Sequence, residues 1–122
     1  FTFSPKTPEL RSEIMPYAME VISHYGDKVR TYECDGCIDI LPAGNDKGVG
    51  LAEVKRIYRF KKEEVVAIGD GENDVPMFRE AGLSLIVGTR ISYPGAISFN
   101  TIGKALDFLN RHIRECSVLR CH

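Results

Sequence analysis

Apolar residues recur at Leu10, Ile14, Tyr17, Ala18, Val21, Ile22 and Tyr25. Steps of three and four place them on one face of a helix. Pro16 falls inside this run, where a missing backbone donor predicts a kink or a late helix start. Gly26 stands where a C-cap would close it. Ahead of the helix, Thr2-Phe3-Ser4 reads as a short strand ended by Pro5 and Pro8. After it, residues 29–34 and 37–41 read as two strands joined by a tight Asp35-Gly36 turn.

The second half changes rhythm. Residues 42–46 are turn formers, and a second helix is expected over residues 47–59, with Leu51, Val54, Ile57 and Tyr58 inward. Residues 64–68 follow as a strand. The uninterrupted run Val65-Val66-Ala67-Ile68 suits a parallel strand buried on both faces. It stops at Gly69-Asp70-Gly71-Glu72-Asn73-Asp74. A helix over residues 75–81 ends at Gly82, a short buried strand covers 83–87, and residues 89–100 read as a loop. The last helix, over residues 101–114, carries Ile102, Ala105, Leu106, Leu109 and Ile113 on one side, with Asn100 or Thr101 as its cap. Helix, strand, helix, strand, helix after residue 46 is half of a doubly wound α/β sheet. Strand, helix, strand, strand before it is an α+β pattern. A boundary between two structural units is therefore expected in residues 42–46.

Composition narrows this little. The chain has 122 residues, 43% apolar and 27% charged, with a formal charge of -1. That length holds one domain, or one plus a piece of another. The near-neutral charge gives no electrostatic case for nucleic acid or an anionic membrane as partner. No apolar run approaches the roughly 18 residues of a membrane span. The N-terminus lacks the pattern of a signal peptide and an initiator Met, so a fragment or processed chain is expected. Cys34 and Cys37 form a C-x-x-C, while Cys116, Cys121 and His122 lie near the end. Cys34, Cys37 and Cys121, with His122 or Cys116 as a fourth ligand, offer one candidate zinc site. Reduced thiols in a cytoplasmic protein are the simpler reading.

Ligands of an open α/β sheet gather at the carboxyl ends of its strands. Asp70 lies just past such an end, and Gly69 and Gly71 let the backbone turn sharply and approach a ligand. Asp74 follows at the start of the next helix. Two carboxylates in one turn suit a hard cation such as magnesium, which takes oxygen ligands and keeps several waters. Asn73 between them can donate to a phosphate oxygen. Two plainer readings compete: Asp74 as a helix cap, and Gly-Asp-Gly as an ordinary turn. A calcium loop of the EF-hand type is excluded, because its sixth and twelfth positions would be Val75 and Ala81 rather than Gly and Glu. Upstream, Lys47 opens a helix after Asn45-Asp46. It is either a solvated surface charge or a point charge that, with the helix N-terminus, holds a phosphate oxygen.

Asp46-Lys47-Gly48, an amphipathic helix, and then Gly69-Asp70-Gly71-Glu72-Asn73-Asp74-Val75-Pro76-Met77-Phe78 resemble the third and fourth motifs of the haloacid dehalogenase phosphatases. Glu80-Ala81-Gly82 and the apolar strand after it are similar as well, and the resemblance covers roughly residues 38–110. It implies the C-terminal half of a Rossmann-like doubly wound core in residues 43–122. Residues 1–42 would be the closing part of an inserted α+β cap of the C2 type. That cap points to the branch holding Cof-type sugar phosphatases, archaeal phosphoglycolate phosphatases and sucrose-phosphate phosphatases. The resemblance also implies Mg2+ as cofactor, with Asp70 as its ligand and Asp74 as the partner that orients the metal's waters or that first ligand. Lys47 and Asn73 would hold the transferring phosphoryl of a small phosphorylated metabolite. Lys47 and Asp74 would be the catalytic residues of a hydrolysis that runs through an aspartyl-phosphate.

The family's nucleophile, an Asp-x-Asp after a first strand, has no match in residues 1–122: Asp35 and Asp39 have the wrong spacing and sit in a hairpin. The chain alone is therefore expected to be inactive. Its half-sheet is expected to need a missing N-terminal segment, a second copy or another subunit along its open edge. A non-catalytic regulatory or assembly subunit is the competing function class.

Overall fold

The computed structural model describes residues 2–34 and 36–120. Its strands form two sheets. In the first, β1 (Thr2–Phe3), β2 (Val29–Cys34) and β3 (Cys37–Pro42) are antiparallel in the order β1-β3-β2. The hairpin closes with Cys34 opposite Cys37. Gly36 in its turn has φ +73, while Asp35 lies outside the described residues. Helix α1 (Pro8–Ser23) begins at Thr7, whose hydroxyl accepts from the Leu10 amide at 3.2 Å. Pro16 sits inside this helix, so the late start does not occur. The helix ends at Ser23, ahead of the expected stop at Gly26, which instead opens a short 3-10 turn (Gly26–Lys28). The apolar stripe of α1 is real but mostly uncovered: no residue of the helix is buried, and Tyr17 is 68% exposed.

The second sheet is parallel, in the order β4 (Val66–Gly69), β5 (Leu83–Val87), β6 (Ile97–Phe99). Strand β6 lies in the stretch that reads as a loop. Its signal is weak because only one side chain in three, Phe99, is even partly buried. Helices α2 (Lys47–Tyr58) and α3 (Val75–Glu80) pack together beside this sheet, and α4 (Ile102–Arg120) touches β5 and β6. The result is the α/β class expected from the order of elements. Thr101 is the cap of α4, its hydroxyl accepting from the Lys104 amide.

Side chains on a strand alternate between faces, and the core follows that alternation. Val65, Ala67 and Ile86 point to one face and form a cluster with Phe78 and Ala81; Leu51, Met77 and Tyr93 pack around it. Phe78 is 1% exposed, and its ring centre lies 5.5 Å from that of Tyr93. Leu85 points to the opposite face and is fully buried, as is Ala105 on α4. There the Phe99 and Phe108 rings lie 5.4 Å apart. Strand β4 departs from the fully buried expectation: Val66 stays 38% exposed, and among the described strands β4 pairs only with β5. On α2 the inward set shrinks to Leu51, because Ile57 and Tyr58 are 57% and 67% exposed. Among the described residues, no helix is long and apolar enough to cross a membrane.

Arg59 ends α2 in the left-handed region, at φ 58 and ψ 34, and the backbone N–H of Phe60 reaches back to the Lys55 carbonyl. A side chain with a β-carbon is strained there, by about 1 kcal/mol relative to glycine. Arg59→Gly is expected to stabilise the chain by roughly that amount, read as a higher midpoint in urea unfolding with an unchanged slope. A lower midpoint would show that the Arg59 side chain contributes more than its backbone costs.

Candidate active site

The site begins with the cap of α2. Asp46 is its N-cap, accepting from the Val49 amide at 2.9 Å. That fixes Lys47 at the first helical position. Gly48 then lets the helix N-terminus come against α3: a β-carbon there would lie 2.5 Å from the Pro76 carbonyl oxygen. Each residue of Asp-Lys-Gly thus has a separate physical task. The first starts the helix, the second carries the charge, and the third removes the bulk that would hold the two helices apart.

Strand β4 delivers the other half. Beyond Gly69 the chain makes a 3-10 turn, Glu72–Asp74, which leads into α3. Asp74 is buried, and its carboxylate points back toward the turn. One oxygen, Oδ2, accepts from the backbone amides of Asp70 at 2.8 Å and Gly71 at 3.1 Å. The other, Oδ1, pairs with Lys47 Nζ. Asp74 makes no side-chain cap bond to α3; its bond to the Gly71 amide instead closes the start of the 3-10 turn. Gly69 makes this possible. A β-carbon at that position would lie 2.4 to 2.6 Å from the Asp74 side chain. The need for glycine is therefore room for a carboxylate, and neither Gly69 nor Gly71 has a positive φ.

Burial alone would raise the Asp74 carboxyl's pKa. The hydrogen bond from Lys47, the two amides and the Lys47 charge outweigh it and hold the group below the ordinary carboxylate range. The Lys47 side chain keeps 49% of its surface exposed, against 6% for Asp74. Lys47 can therefore face a ligand while one of its hydrogens stays on Asp74. Asp70 is exposed, and among the described residues its carboxylate has no hydrogen-bond or ion-pair partner. Asn73 is half-buried. With Lys47, Asn45 and Asp46 it lines a cavity of about 320 Å3, walled on the far side by Tyr32, Asp39 and Leu41 of the antiparallel sheet. The structure thus brings Lys47, Asp70, Asn73 and Asp74 to the carboxyl end of β4.

Sequence reading missed the contact between α2 and α3 made by Lys55. Its ammonium donates to the Glu80 carbonyl at 2.9 Å and to the Glu80 carboxylate at 2.6 Å, holding the end of α3. A lysine eight positions after Lys47 carries no local signal for this, since its partner is 25 residues away. The suggested zinc arrangement falls partly on Cys121 and His122, outside the described residues. Among those described, no group of three or more His, Cys, Asp or Glu could hold a metal ion.

Replacing Asp74 by Ala strands two amides and the Lys47 charge, and is expected to cost about 2–4 kcal/mol of stability, measurable by chemical denaturation. The same carboxyl sets an acid limit. Because its folded pKa lies below its unfolded value, its contribution is complete above about pH 4 and fades as pH falls through the lower folded value. Stability profiles of the native chain and Asp74→Ala should therefore converge on acidification below pH 4. Parallel profiles down to pH 2 would contradict this.

Residues 9–92 match the sequence profile of the haloacid dehalogenase-like hydrolases. Among characterised proteins, the chain is 37% identical over 65 residues to the 5-amino-6-(5-phospho-D-ribitylamino)uracil phosphatase YwtE of Bacillus subtilis, covering 53% of this chain and 23% of that one. It is 44% identical over 52 residues to phosphoglycolate phosphatase 2 of Saccharolobus solfataricus, covering 43% and 22%. Among solved structures, TM0651 from Thermotoga maritima superposes with a TM-score of 0.54 at 34% identity, covering 66% of this chain and 31% of that one. The matched region thus spans about a quarter of the length of these curated relatives. With the Lys47 and Asp70–Asp74 segments both inside residues 9–92, the chain belongs to the haloacid dehalogenase-like hydrolase family.

Proposed function

We propose that this chain supplies the metal- and phosphate-binding half of a Mg2+-dependent phosphomonoester hydrolase acting on a small phosphorylated metabolite such as phosphoglycolate or a sugar phosphate. The observation that carries the reading is the shared carboxylate: Asp74 ties the Lys47 ammonium to the turn that presents Asp70. Residues 43–122 act as part of the core and residues 1–42 as part of a substrate-selecting cap.

The residues fit a magnesium ion. Asp70 offers a free carboxylate at the strand mouth, and a cation that keeps most of its waters needs few protein ligands. Asp74 would be the second carboxylate of the metal site, and its bonds to the amides of Asp70 and Gly71 hold the turn that carries Asp70. Magnesium, when bound, would neutralise charge on phosphoryl oxygens. Lys47 does the same from the side of α2, and Asn73 donates its amide to another oxygen and fixes the phosphoryl's orientation. Lys47, paired with Asp74, serves as a positive charge beside the phosphoryl group. The carboxylate that would accept the phosphoryl as an aspartyl-phosphate is not among residues 1–122. An N-terminal segment, a second copy or another subunit would bring it, paired along the open edge of β4.

Two measurements test this. Residues 1–122 alone should show no Mg2+-dependent release of phosphate from phosphoglycolate or glucose 6-phosphate; turnover would place the nucleophile within the chain. In the protein completed by a nucleophile-bearing segment, Asp70→Asn should lower kcat by on the order of a hundredfold or more and weaken Mn2+ binding seen by electron paramagnetic resonance. Unchanged Mn2+ binding would remove Asp70 from the metal site.

A further inference from the structure

Three arginines converge on one cleft from three separate elements. Arg30 comes from β2, Arg79 from α3, and Arg90 from the loop after β5; the cleft between them has a volume of about 520 Å3. Bringing like charges together is unfavourable unless negative charge offsets them. The acidic residues on its walls are Asp46 and Glu72, and Asp46 already accepts the Val49 amide as the cap of α2. Among the described residues, no carboxylate pairs with Arg30, Arg79 or Arg90, whereas Lys47, Lys55 and Arg56 all have acidic partners. The cleft therefore holds three guanidinium groups without fixed partners.

Its position gives it a use. Tyr32 and Asp46 line both this cleft and the cavity that holds Lys47 and Asn73. The two spaces are therefore neighbours. Guanidinium groups present paired donors in a plane that matches a carboxylate.

We infer that Arg30, Arg79 and Arg90 form a second anion subsite, which receives the carboxylate tail of the phosphomonoester whose phosphoryl lies at Lys47 and Asn73. This rests on the phosphate-site reading above and sharpens it: the preferred substrates are short phosphorylated carboxylic acids, ahead of phosphates with neutral sugar tails. Two of the three arginines come from the core side and one from the antiparallel sheet, so a bound tail links the two units.

Binding tests this without turnover. The full chain, with Mg2+ present, is titrated calorimetrically with inorganic phosphate, glycerol 3-phosphate and 2-phosphoglycolate. The carboxylate-tailed ester should bind on the order of tenfold more tightly than the neutral-tailed one. In the Arg30→Gln/Arg90→Gln variant that ratio should fall toward one. Both side chains are exposed, so circular dichroism should show the variant folded. Equal affinities of the two esters in the native chain, with inorganic phosphate still bound, would overturn the subsite and leave the phosphate site standing. A ratio that survives in the double variant would also overturn it. Failure of all three probes to bind would remove both readings.

Discussion

The candidate site depends on one buried carboxylate with three donors. Asp74 gives one oxygen to Lys47 and the other to the amides of Asp70 and Gly71. An ionised carboxylate taken out of water is costly unless its acceptor capacity is filled. Here the filling comes from three parts of the chain at once, the start of α2, the end of β4 and the turn between β4 and α3. Each is held where it is because the same charge needs all of them. The local sequence follows from this demand: Gly69 makes room for the carboxylate, Gly48 lets α2 close up on α3, and Asp46 starts α2 at the residue that supplies the ammonium.

This explains why the candidate site was so legible in the sequence. Its parts lie in two short runs, and their residue types have few other reasons to occur together. Lys47, Asp70, Asn73 and Asp74 could each be singled out, although the pairing of Lys47 with Asp74 spans 27 residues. What the sequence did not disclose was the direction of the Asp74 carboxylate. A cap residue and a backward-facing anchor look alike in one dimension, and only the missing β-carbon of Gly69 distinguishes them. Lys55 was invisible for the same reason, because nothing near it in the chain names Glu80 as its partner.

The fold was legible where burial is complete and obscure where it is partial. The pattern of β5, with three consecutive buried residues, matches its reading residue for residue. Strand β6 was read as loop because it is short and half-covered. The apolar stripes of α1 and α2 have the helical period, yet most of their residues are exposed and not inward as expected. Periodicity reports which face a helix offers for packing, and whether a partner covers that face is separate information. The open edge of β4 is the same situation in a strand, since its hydrogen-bonding capacity is visible from the backbone while its partner is not.

The connection between the two sheets has a mechanical meaning. Strand β3 ends at Pro42, and α2 starts at Lys47. The short stretch between is strapped by the Ala43 amide to the Lys28 carbonyl and by the Asn45 amide to the Pro42 carbonyl. So short a tether leaves little slack. A tilt of the antiparallel hairpin would be transmitted through residues 43–46 to the first turn of α2, and so to the Lys47 ammonium. On its other side the first turn of α2 is braced by Gly48 against Pro76. Whatever seats against β2 and β3 would set the reach of the lysine.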